Sequence, residues 1–310
     1  MDILTDYNGL GHLYNNICVG LGNFDGVHLG HQRLINRLVS HARGNAGTSV
    51  VFTFEPHPAM VLNPEAAPPL LLAPEHKQRL IGGLGIDVLL AVRFTKEFAQ
   101  LTPEAFIQDV LCAELDARAV FVGYNYTFGH RGAGNPETLR TFAKKCAYRL
   151  EVIPPVMLDG QPVSSTLIRN LLNEGKVDEA RRYLGYYPMY KGKVVAGESR
   201  GSTIGFPTAN LEVEERILVP ANGVYAVKLL IDGERFLGVA NIGVCPTFTG
   251  GAPRKRRVEV FVFDFHGDLY EKELEVLFTR RLREERRFGS AAELVEQIRL
   301  DVAAARALAE

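Results

Sequence analysis

The first apolar run, Ile17-Cys18-Val19-Gly20-Leu21, leads directly into Gly22-Asn23-Phe24-Asp25-Gly26-Val27-His28-Leu29-Gly30-His31. Beyond it, Leu34, Ile35, Leu38, Val39 and Ala42 recur at helical spacing, and Gly44 supplies a stop. The order is strand, glycine-rich turn, helix. Such a turn presents backbone N–H groups and the positive end of a helix dipole to an anion. Gly22, Gly26 and Gly30 let the backbone approach a ligand closely. His28 and His31, at the head of the helix, can both reach one phosphate group. A metal site is disfavoured, because no Cys/His pair elsewhere has metal-ligand spacing. The glycine spacing also departs from the G-x-G-x-x-G dinucleotide fingerprint.

Outward from this stretch, Ser49–Phe54, Val88–Val92, Ala119–Gly123 and Leu150–Ile153 are further continuous apolar runs. Runs of this kind suit strands buried on both faces of a parallel sheet. Between them, Thr102-Pro103-Glu104 reads as an N-cap, a first-turn proline and a first-turn acid. The alternation predicts a doubly wound α/β domain. Ser164–Gly175 reads as a loop entering a helix and Asp178–Leu184 as a second helix. Gly185-Tyr186-Tyr187-Pro188 then marks a boundary. A chain of 310 residues exceeds the usual limit for one core, so two domains, 1–185 and 186–310, are expected.

The second half is patterned differently. Lys193–Ala196, Gly223–Ile231, Phe236–Ile242, Val258–Phe263 and Leu274–Phe278 are short strand-like runs with no helical stretch between them. Asp232-Gly233 and His266-Gly267-Asp268 supply turns. An antiparallel barrel or sandwich follows. Ser290 and Glu293 form a capping box ahead of a last helix, with Leu294, Ile298, Val302 and Ala305 on one face.

Composition narrows the function classes. Hydrophobic residues are 46% and charged residues 23%, which is globular rather than disordered or fibrous. Lys+Arg number 35 against 36 Asp+Glu, so nucleic acid is disfavoured as a partner. Arg254-Lys255-Arg256-Arg257 reads as a solvated turn between strands. Cys18, Cys112, Cys146 and Cys245 form no C-x-x-C pair and read as thiols in a reducing compartment. The N-terminus lacks a signal pattern, and no apolar run approaches the ~20 residues of a membrane span. A cytoplasmic protein is expected, with no membrane, nucleic acid or obligate protein partner. With no Trp but 17 Phe and 11 Tyr, any flat aromatic ligand must stack on those rings.

Two more segments carry chemistry. Ser164-Ser165-Thr166-Leu167-Ile168-Arg169 offers hydroxyls and an arginine at a helix start. Gly197 through Leu211 contains Gly197, Gly201 and Gly205 among several hydroxyls, a phosphate-cradling composition without a Walker A lysine. Within it, Thr208 and Asn210 lie two apart, so in extended chain they share a side and offer hard oxygen ligands to Mg²⁺. Glu259 alternates with Phe261 and Phe263 on one strand face, a place for a general base.

GNFDGVHLGHQ, SSTLIR, GFPTANL, GVYAV, ANIGVCPTF, VEVFVFDF and DLY occur in this order over the whole chain. The first resembles the His-x-Gly-His signature of nucleotidylyltransferases. Together the motifs resemble the bifunctional riboflavin kinase/FMN adenylyltransferase family, the bacterial FAD synthetases. The resemblance implies a six-stranded C-terminal barrel that phosphorylates riboflavin to FMN. It implies an N-terminal domain that transfers AMP from ATP to FMN, giving FAD and pyrophosphate. Riboflavin, FMN and ATP would be the substrates, with Mg²⁺ as the metal. His28, His31, Gly30, Asn23 and Asp25 would hold the nucleotide, joined by Ser164, Thr166 and Arg169. Asn125, within Gly123–Gly129, would contact flavin. Glu259 would take the hydroxyl proton, and Thr208 and Asn210 would hold Mg²⁺ and phosphate. Cys245 and Phe261 stand where many members carry a basic residue and a histidine, and Tyr126 and Thr127 also depart from the common pattern.

Overall fold

A computed structural model describes residues 1–196, 205–244 and 256–308. The chain divides into two compact units, residues 1–68 with 74–164, and residues 69–73 with 165–310.

The first unit is built on six strands, β1 (Asp2–Leu4), β2 (Cys18–Leu21), β3 (Ser49–Glu55), β4 (Val88–Arg93), β5 (Ala119–Gly123) and β6 (Arg149–Ile153). They lie in the order β1-β4-β3-β2-β5-β6 and every pairing is parallel. β2, β3 and β4 step outward in one direction and β5 and β6 in the other. The order therefore reverses between β2 and β5, and open α/β sheets bind ligands in the crevice beyond such a switch point. The helix Leu29–Gly44 packs directly on β2: a Cβ on Gly20 would lie 3.0 Å from Leu34 and Leu38. Val19, Val50, Phe52, Leu90 and Val120 form the centre of the core.

Three features of this unit differ from the sequence reading. The polar N-terminus supplies the edge strand β1. The Thr102-capped helix continues from Ala105 as a π-helix, Phe106–Glu114. Cys112 and Cys146 are joined as a disulfide rather than standing as thiols, because the π-helix and the segment after the helix Pro136–Ala143 bring their Cα atoms to 5.8 Å. Cys18 is a buried thiol, pushed up by burial.

A small hairpin, β7 (Met157–Leu158) with β8 (Gln161–Pro162), follows β6. The helices Ser165–Asn173 and Val177–Leu184 belong to the second unit. That unit is a closed antiparallel barrel of β9 (Met189–Val195), β10 (Ala209–Leu211), β11 (Gly223–Ile231), β12 (Glu234–Val244), β13 (Arg256–Val262) and β14 (Glu273–Arg283), ordered β10-β13-β12-β11-β14-β9. Tyr225, Leu229, Ala240, Ile242, Val258, Val260, Leu274 and Val276 are buried residues of these strands. Alternate residues of β11 and β12 point outward, and there Val224, Ala226 and Val239, with Phe263 just past β13, pack with Ala305 and Val302 of the terminal helix Ala291–Ala307. Arg283 grips Asp301 of that helix at 2.9–3.1 Å, and Asp301 is 5% exposed. Ser290 caps the helix as expected, while the Glu293 carboxylate accepts from Gly289 rather than from Ser290.

The basic run is not a plain solvated turn. Arg256 and Arg257 open β13, and half-buried Arg256 donates to the carbonyls of Val219 and Pro220. Arg254 and Lys255, with Gly197, Gly201 and Cys245, lie outside the described residues.

Candidate active sites

In the first unit, the turn after β2 is held from below. Phe24 and Val27 are fully buried although both have positive φ, 50° and 33°. Such conformations cost about 1–3 kcal/mol each and persist where packing over-determines them. Thr53 of β3 donates to the Asn23 carbonyl at 3.1 Å, and Gln32 donates to the Val27 carbonyl at 2.8 Å. The loop is thus anchored by packing and two hydrogen bonds, with Asp25 buried and Asn23 exposed.

His28 is the N-cap of the helix Leu29–Gly44, its Nδ1 accepting from the His31 N–H at 3.3 Å. The two imidazoles stack at 3.6 Å with 13° between their planes. A Cβ on Gly30 would sit 3.1 Å from the His28 ring, so only glycine leaves the stack undisturbed. Burial pushes His28 down to about 4. His31 is pushed well down by burial and then by His28. Both rings are therefore neutral at pH 7. The Nδ1 of His31 is buried with no hydrogen-bond partner among the described residues.

β5 lies beside β2, with Gly20 opposite Phe121. The turn after β5 therefore opens beside the histidine turn. It presents exposed Asn125, with Tyr126 stacked on Phe128 at 5.6 Å. Burial pushes the Tyr126 phenol up. Sequence reasoning missed Lys77, on the helix Pro74–Gly83. Burial lowers its amine, while Glu55 and Asp25 pull it back up, so the cation faces both carboxylates. No local pattern marks it, because the contact depends on how the helix packs. Ser164 ends the first unit, whereas Thr166 and Arg169 lie on the helix Ser165–Asn173 of the second. Arg169 there donates to the Pro69 carbonyl at 2.8 Å.

In the second unit, Thr208 immediately precedes β10, and Asn210 sits within it. Strand register sets Asn210 directly opposite Glu259 of β13 and Glu259 directly opposite Asn241 of β12. Glu259 is 29% exposed and pairs with Arg257 at 3.0 Å. Phe261 is edge-on to Phe206 at 5.3 Å, making an aromatic wall beside the carboxylate. Asn210 is 8% exposed, and its Oδ1 has no hydrogen-bond partner among the described residues. Gly205 has φ +85°, a conformation that favours glycine, and a Cβ there would meet no described atom within 4 Å.

Residues 12–167 match the profile of the FAD synthetase family and residues 184–309 that of the riboflavin kinase family. Proteins named bifunctional riboflavin kinase/FMN adenylyltransferase match along nearly the whole chain. The one from Pseudomonas fluorescens is 40% identical, covering 94% of this chain and 93% of its own. That of Listeria monocytogenes is 38% identical over 92% and 90%. The chain belongs to the bifunctional riboflavin kinase/FMN adenylyltransferase family. A crystal structure of a macrolide-efflux protein from Streptococcus pneumoniae is 32% identical and matches 99% of both chains at TM-score 0.88. Efflux is said of that protein. Among the described residues here, no helix is long and apolar enough to cross a membrane. This family member carries one domain for each of the family's reactions, and each domain holds one of the two clusters above.

Proposed function

We propose that this protein makes FMN from riboflavin at the Glu259 cluster and FAD from FMN at the His28–His31 cluster, using ATP in both. The observation that carries the assignment is one buried, unpartnered polar atom in each cluster, His31 Nδ1 and Asn210 Oδ1. Buried polar groups left without partners cost about 1–3 kcal/mol, a cost that a ligand bond to each atom would recover.

In adenylyl transfer, a phosphate oxygen of FMN attacks the α-phosphorus of ATP and pyrophosphate leaves. Neutral His28 and His31 offer ring N–H groups to the triphosphate, and the helix start adds its dipole. Asn23, Asp25 and Gly30 shape the nucleotide site, and Lys77 balances the Asp25 charge. Ser164, Thr166 and Arg169 serve as the second phosphate element, and Asn125 contacts flavin beside the Tyr126–Phe128 stack. In the kinase, Glu259 accepts the proton of the ribityl 5′-hydroxyl as that oxygen takes the terminal phosphoryl group, leaving ADP. Thr208 and Asn210, a hydroxyl and an amide oxygen, suit Mg²⁺, which would neutralise phosphate charge. Residues 1–185 are assigned to adenylyl transfer and 186–310 to phosphorylation. The enzyme is assigned to the cytoplasm.

The test is incubation with riboflavin, ATP and MgCl₂, with the flavins separated by chromatography over time. FMN should rise first and FAD follow. Accumulation of neither flavin would overturn the reading. FAD appearing when only riboflavin and a non-hydrolysable ATP analogue are supplied would do the same.

A further inference from the structure

The outer face of β12 beside the kinase cluster runs Leu237, Val239, Asn241, Gly243, because Ala240 and Ile242 point into the barrel. Asn241 is the one hydrogen-bonding side chain in that run. It lies directly opposite Glu259, on the side away from Asn210. Directly opposed residues on one face of an antiparallel pair bring their Cβ atoms to about 5 Å, a gap that an amide and a carboxylate close by side-chain rotation, whereas Arg257 is the partner Glu259 takes in this structure. Next along the same row is Val224, which packs under the terminal helix. Asn241 thus closes the row between that apolar cover and the carboxylate.

Resting on the assignment of Glu259 as base, we propose that Asn241 is a positioning residue of the kinase: its amide N–H holds the Glu259 carboxylate toward the ribityl hydroxyl. Arg257 already donates to Glu259 Oε1 from the same strand. With only that contact the carboxylate can swing about its side-chain torsions. A second donor on the opposite flank fixes its plane, and each carboxylate oxygen keeps a lone pair for the substrate proton. A neutral donor suits this position. Arg257 already supplies the cation, and a second cation would oppose the proton transfer.

The test uses the full chain and measures kcat and KM for riboflavin phosphorylation, with FAD formation from added FMN as the folding control. Asn241→Ala should lower the kinase kcat about 10–100-fold, the effect of losing a hydrogen bond to a charged group, with little change in KM. Asn241→Ser should recover part of the loss. The near-isosteric Asn241→Asp should be worse than Ala, since it sets a second carboxylate against Glu259. In a Glu259→Gln background, Asn241→Ala should add less than threefold. A packing role predicts the reverse order, with Asp mild and Ala severe, and that order would overturn the proposal. So would a loss confined to KM, or additive losses in the double variant. Full kinase activity in Glu259→Gln would overturn the base assignment itself and the proposal with it. An inactive Glu259→Gln beside an unaffected Asn241→Ala would overturn the proposal alone.

Discussion

Acidification should destabilise the first unit through His28, and His28→Asn should remove much of that sensitivity. The ring is 6% exposed, and burial holds its pKa near 4 against an ordinary 6.5. Above pH 6.5 neither the folded nor the unfolded chain is protonated there. Below it, the unfolded chain takes up a proton that the folded chain refuses until about pH 4, so stability falls as pH falls. At pH 5 the loss is about 2 kcal/mol and below pH 4 it approaches about 3 kcal/mol. His31 acts with the same sign. Asparagine does not titrate and is an equally good N-cap, so it should keep the bond that His28 accepts from the His31 N–H. Urea unfolding followed by circular dichroism at pH 7 and pH 5 would give the stability of both proteins. The difference between their pH losses reports His28 together with the part of the His31 shift that His28 causes. The variant should lose about 2 kcal/mol less than the parent between these pH values. Equal losses would show that His28 is not held neutral by burial, and the neutral-donor role would fall with it.

Three more outcomes follow from particular contacts. Gly30→Ala places a methyl 3.1 Å from the His28 ring and should cut FAD formation about 10–100-fold while riboflavin phosphorylation is unchanged. Asp301→Ala strands half-buried Arg283 and should cost about 3–5 kcal/mol of barrel stability in thermal unfolding; a loss under 1 kcal/mol would refute the clamp. A fragment 165–310 should be more stable than 186–310. The shorter piece strips away the helices on which Leu172 and Leu184 line an apolar cleft with Met189, Leu218 and Phe278. Equal melting temperatures would contradict that packing.

Much of this architecture was legible in the residues. The continuous apolar runs at Cys18, Ser49, Val88, Ala119 and Leu150 mark parallel strands because burial on both faces leaves no polar alternation. The histidine turn was legible because strand, glycines and helix start adjoin in sequence. What escaped depends on pairing across the fold. β1 and β10 are three residues each, too short to show a period, yet β10 closes the barrel. The switch point that sets the turn after β5 beside the histidine turn comes from strand order. The Cys112–Cys146 link comes from packing. Arg256 looked like part of a solvated charge run, and only the fold shows the two carbonyls it binds. Asn241 carries no local signal, because its meaning lies in the register with Glu259.

The central claim is that two independent sites sit on one chain, and a mixing experiment tests it most directly. His31→Ala should convert riboflavin to FMN and stop there. Glu259→Gln should convert FMN to FAD but leave riboflavin untouched. Supplied with riboflavin, ATP and Mg²⁺, neither variant alone should yield FAD, and the two mixed in one tube should. An absence of FAD from the mixture, with each variant retaining its single activity, would contradict free exchange of FMN between the sites. Loss of both activities in either folded variant would contradict their independence.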